Sequence, residues 1–68
     1  MNKHQVSDHY RGHSISVEIV EDSDGSWSWI YSIDGRPSLL TGLRCPDAAV
    51  ARQQGLIAAR ARVDELGE

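Results

Sequence analysis

Alternation is the strongest pattern in the chain. From Trp27 to Ile33 every second residue (Trp27, Trp29, Tyr31, Ile33) is large and apolar, and Ser28, Ile30 and Ser32 fall between them. That is the period of a β-strand with one rich face and one plainer face. The run from Ser14 to Ile19 alternates too, with Ile15, Val17 and Ile19 on one side and Ser14, Ser16 and Glu18 on the other. This is the mark of a half-buried antiparallel strand. Between the two runs, Glu21-Asp22-Ser23-Asp24-Gly25 reads as a turn, because glycine lacks a Cβ and accepts positive φ. A hairpin is therefore predicted.

Asp34-Gly35-Arg36-Pro37 is a second turn signal, and residues 38–43 read as a short third strand. Tyr10-Arg11-Gly12-His13 marks a turn or bulge ahead of the first strand. Residues 1–9 are mostly polar and are expected to be a flexible N-terminal segment, with an edge pairing near Val6 as the alternative.

Pro46 suits the first position of a helix, where its missing N–H would have no partner. Asp47 follows in the first turn, and Ala48 to about Leu66 is rich in good helix formers. Gly67 reads as the stop. Ala48, Ala49, Arg52, Gly55, Leu56, Ala59, Val63 and Leu66 fall on one broad stripe of mostly small residues. Such a face approaches a sheet closely, and the sheet opposite carries the large rings. Each buried Trp or Tyr removes about 150–250 Å² from water. At roughly 25 cal/mol per Å² that is on the order of 4–6 kcal/mol, as an upper bound. The aromatic face is accordingly assigned to the core. The expected fold is α+β: a three-stranded antiparallel meander with one C-terminal helix packed across it, as one domain over 10–68.

Size limits the chemistry. The chain has 68 residues, and one this short buries only about 60% of the surface its unfolded form exposes. Deep pockets are not expected. Both tryptophans and one of the two tyrosines lie in the central strand, and there is no Phe. The formal net charge of −3 disfavours a dedicated nucleic-acid binder. A single cysteine, Cys45, allows no intramolecular disulfide. No segment is long and apolar enough to span a bilayer, so no membrane partner is expected and the default location is cytoplasmic.

Three short signatures occur together: Tyr10-Arg11-Gly12-His13 leading into Ile15-Ser16-Val17, then Asp24-Gly25-Ser26-Trp27, then Ala59 to Gly67 with Val63-Asp64 near its end. This resembles a loose set of short uncharacterised bacterial proteins with a Tyr-basic-Gly opening, a Trp-bearing strand and a helix ending in Ile/Val-Asp. The resemblance implies the fold and carries no catalytic residue. The element order is also similar to the plant-type AP2 DNA-binding domain, whose exposed sheet face reads the major groove with arginine and tryptophan. Here Glu18, Ser28, Ser32 and Asp34 hold strand positions where that family has arginines.

Candidate chemistry is sparse. His4, His9 and His13 with Asp8 lack the four convergent ligands of a zinc site and read as a solvated segment. At a helix start, Cys45 would have a lowered pKa, but no His-plus-Asn/Asp arrangement accompanies it, and burial is the better reading. The acidic run Glu18, Glu21, Asp22 and Asp24 lacks a calcium-loop pattern. Neither a catalytic set nor a cofactor or metal site is assigned. Arg36, Arg44, Arg60 and Arg62 are candidates for phosphate contact. Ile30, Val50, Ile57 and Ala61 are apolar positions off the expected core and form the candidate interface. The function expected is a small non-enzymatic protein-interaction module, with a homodimer as the preferred association. A nucleic-acid-binding or regulatory protein is the alternative.

Overall fold

A computed structural model describes residues 3–66, and the side chains of all of these except Leu39, Leu40, Thr41 and Leu43. Four strands and one helix follow in order: β1 (Lys3–Tyr10), β2 (His13–Glu21), β3 (Trp27–Ile33), β4 (Arg36–Cys45) and α1 (Ala48–Glu65). The strands form one antiparallel meander, β1-β2-β3-β4. The sheet thus has four strands where the sequence predicts three. The added strand is Lys3–Tyr10, which pairs with β2 along its whole length, from Lys3 opposite Val20 to Tyr10 opposite His13. Its inward positions are His4, Val6, Asp8 and Tyr10, opposite or beside the inward residues of β2. Only one of the four is aliphatic, so the alternation that reveals β2 is missing.

The turns follow from backbone chemistry. Arg11-Gly12 and Asp34-Gly35 both have positive φ at both residues (53° and 84°, 52° and 82°). That is the conformation of a two-residue type I′ hairpin loop, whose twist matches that of the strands it joins. In a four-strand meander these two loops lie at the same end of the sheet. A third non-glycine residue with positive φ, Arg44 at 59°, marks an irregularity in β4. There the register slips between the Trp27–Cys45 and Trp29–Gly42 pairs.

The core lies between one sheet face and the helix. Ile15, Val17 and Ile19 of β2 and Trp29, Tyr31 and Ile33 of β3 are buried there, with Cys45 at the end of β4. On the helix the buried residues are Ala51, Gly55, Ala59 and Val63. This is a single i, i+4 row. Ala51, absent from the stripe read off the sequence, is fully buried, while Ala49, Arg52 and Leu66 are exposed. A row of that spacing winds slowly around the helix and lies across a twisted sheet. It runs chiefly over β2 and β3, and least over β1.

The helix starts at Ala48, two residues later than Pro46 at the first helical position implies. Asp47 is the N-cap, with extended backbone, and its side chain accepts the Val50 N–H at 2.9 Å. Leu66 caps the other end, and Gly67 lies outside the described residues. No helix among the described residues is long and apolar enough to cross a membrane.

Candidate functional site

The end of the sheet that carries both type I′ loops also receives the C-terminal turns of α1. Polar side chains from four elements meet there. Tyr10 Oη donates to Asp64 Oδ1 at 3.1 Å, and an Arg11 guanidinium N–H donates to the same oxygen at 3.1 Å. The Tyr-basic opening and the Val-Asp helix ending, far apart in sequence, therefore touch. Val63, next to Asp64, has no exposed surface. One step along the helix, Arg60 reaches back to Asp8 at 2.8 Å and sits 5.9 Å from the centre of the Tyr10 ring. The Arg60 guanidinium, together with the His9 N–H, holds the Asp8 carboxyl below its ordinary value. These contacts bind β1 to the helix.

A second set surrounds His13 and Asp34. Asp34 Oδ1 accepts the Ser14 N–H at 3.0 Å, and Asp34 N–H donates to the Ser14 carbonyl at 2.8 Å. The other carboxylate oxygen, Oδ2, is 2.7 Å from His13 Nδ1. The Asp34 carboxyl is held below its usual range by the Ser14 N–H first and by His13 second. The β3–β4 loop is in this way clipped to the start of β2. His13 and Asp34 line one side of a cleft of about 720 Å³. Tyr31 and Ile33 also line it, and Arg36, Pro37, Arg62 and Leu66 complete the rim. A hollow of this size contrasts with the expectation of no deep pocket.

The four arginines named from the sequence do not share a face. Arg36 and Arg62 meet at this cleft. Arg60 is engaged with Asp8 and Tyr10 on the β1 side. Arg44 is exposed at the opposite end of β4, where its charge acts on Asp24. The apolar candidates are also divided. Ile30 is 37% exposed on the sheet face away from the helix, and Ile57 is 57% exposed on the outward side of α1. Ala61 is exposed near Ile57, and Val50 is half-buried against the core.

The histidines separate too. His4 stacks on Trp27 with ring centres 5.8 Å apart, His9 lies 3.4 Å from the Ser14 hydroxyl, and His13 pairs with Asp34. Among the described residues no three His, Cys, Asp or Glu side chains gather as a metal site would require. Cys45 is only 3% exposed, and burial pushes its thiol pKa up, aided by the Asp47 charge. This is the reverse of the lowering its place before a helix suggests, because burial disfavours the charged thiolate.

Sequence reasoning missed the His13–Asp34 pair. Each residue reads singly, as part of a histidine-rich segment and as a turn residue. The available signal was the parity of the strands: with β1 present, both glycine loops fall at one end.

The fold defines a class, the small two-layer α+β domain with a four-stranded antiparallel meander covered on one face by a single helix. No protein-family model, curated protein or solved structure matches the chain.

Proposed function

We propose that this protein is a small non-enzymatic interaction module that associates through the open face of its sheet, with a second copy of the chain as the partner. The reading rests on the composition of that face. Lys3, Gln5, Ser7 and His9 of β1, Ser14, Ser16, Glu18 and Val20 of β2, and Ser28, Ile30 and Ser32 of β3 share it by register. No layer covers it among the described residues. Short hydroxyl side chains flank Ile30, so its side chain stands above a flat surface, with Val20 as its diagonal neighbour. An apolar residue at the centre of a smooth polar face suits association better than solvation.

Charge favours a like partner. The face carries Lys3 and Glu18, paired at 3.2 Å, and the Asp22 carboxylate stands at its edge, where it accepts the Ser28 hydroxyl at 3.4 Å. The Lys3–Glu18 pair is neutral as a unit, although the chain as a whole is at −3. A two-fold arrangement would also let Lys3 of each copy reach Glu18 of the other.

The test is light scattering on a size-exclusion column over a range of concentrations. A dimer is expected, and Ile30→Lys should convert it to monomer while thermal stability of the isolated fold is retained. A parent chain that stays monomeric at the highest concentration overturns the reading.

A further inference from the structure

We propose that the cleft between the two glycine loops and the end of α1 binds a small organic anion, a carboxylate or phosphate group carried on an apolar body. Its volume of about 720 Å³ falls within the roughly 300–1,000 Å³ that small-molecule sites occupy. The chemistry of its walls is divided. Tyr31 and Ile33, buried on the core face of β3, give an apolar floor, and Pro37 and Leu66 extend it at the rim. Arg36, at the start of β4, and Arg62, in the last turns of α1, come from distant parts of the chain to line the same hollow. A guanidinium is a planar fork of donors that matches carboxylate and phosphate oxygens.

His13 supplies a third polar position. A carboxylate such as Asp34 only accepts, so His13 Nδ1, 2.7 Å away, carries a proton and donates it. The ring is oriented by that bond. With the proton on Nδ1, the Nε2 of the neutral ring is an acceptor, so the anionic group is left to Arg36 and Arg62 while Nε2 can take a donor from the ligand body.

Two carboxylates stand near these cations. Asp34 has both oxygens engaged, one by Ser14 N–H and one by His13. Glu65 holds Arg62 at 3.2 Å, but the two side chains are 67% and 52% exposed. Exposed pairs of this kind contribute little, so an incoming anion displaces Glu65. Arg36 has no carboxylate within ion-pair distance among the described residues.

The site is distinct from the Ile30 surface, since His13, Tyr31, Ile33, Arg36 and Arg62 do not belong to that face. The experiment is an NMR titration of the full chain with benzoate, phenyl phosphate, inorganic phosphate and neutral benzamide, following the Gly35 and Leu66 amides and the His13 ring. Benzoate and phenyl phosphate should give saturable shifts at these positions. Inorganic phosphate and benzamide, each lacking one half of the required chemistry, should bind roughly tenfold more weakly. Arg36→Gln and Arg62→Gln should each weaken benzoate roughly tenfold, Glu65→Gln should tighten it, and Arg44→Gln should leave it unchanged. Absence of saturable shifts with both aromatic anions overturns the proposal. So does an equal loss in Arg44→Gln, or inorganic phosphate binding as well as phenyl phosphate.

Discussion

The indole of Trp29 lies over Gly42, its partner across the β3–β4 ladder, and fills the space where a Cβ at residue 42 would stand. Trp29 is 7% exposed, so the ring has no empty volume to retreat into without opening the core. Gly42→Ala should therefore destabilise the fold by about 1–3 kcal/mol, the usual range for overpacking. Urea unfolding measures the loss, and tryptophan emission should shift to the red as the indole is pushed toward water. Unchanged stability and emission would show that the ring does not depend on the glycine.

Gly55 plays a corresponding part on the helix. A Cβ there would come within 2.5 Å of Val17 Cγ1 and 3.5 Å of the Trp29 Cβ. Alanine is intrinsically better than glycine inside a helix by about 1 kcal/mol. Val17 is fully buried and cannot yield freely, and overpacking costs about 1–3 kcal/mol. The clash should win, so Gly55→Ala is expected to destabilise by about 1 kcal/mol. In a Val17→Ala background the clashing methyl is gone, and the same change should become neutral or stabilising. A double-mutant cycle reads this reversal of sign directly. A loss of equal size in both backgrounds would remove Val17 as the cause.

Acid should weaken the loop end. Asp34 is held below its ordinary 3.8 by Ser14 N–H and then His13. Asp8 is lowered chiefly by Arg60, and Asp24 chiefly by the Ser26 hydroxyl. A carboxyl with a depressed folded pKa binds its proton less readily in the folded state than in the unfolded one. Its contribution is complete above the unfolded value and disappears as pH falls through the folded one. Stability measured in urea should hold from neutrality to about pH 4 and then decline. Asp34→Asn should lower stability at neutral pH and flatten the acid limb. An acid limb equally steep in Asp34→Asn and the parent would exclude Asp34 from the effect.

Legibility differed from element to element for physical reasons. β2 and β3 were plain because one face of each meets the helix fully, and burial demands alternation there. The helix was plain from its composition and its proline. Its buried row was less so. With alanine or arginine at most positions, hydropathy alone does not separate Ala51, which is buried, from Ala49, which is not. β1 was hidden because the helix barely covers it. Its inward residues are held by Tyr10 and Asp8 bonding to Asp64 and Arg60, pairings that have no period. Of the cleft, Arg36 and Arg62 are legible as two of four arginines that are candidates for phosphate contact, and nothing local links them to His13.

Local pattern by itself determined that β2 and β3 extend, which stretch coils, where the glycine loops stand and that the face bearing Trp29 and Tyr31 is covered, since each depends on neighbours a few residues away. The number of strands, the row on which the helix rests and the meeting of His13, Asp34, Arg36 and Arg62 were decided by tertiary structure alone. Those features depend on which ends of the meander coincide, and coincidence in space between residues dozens of positions apart leaves no periodic trace in the chain.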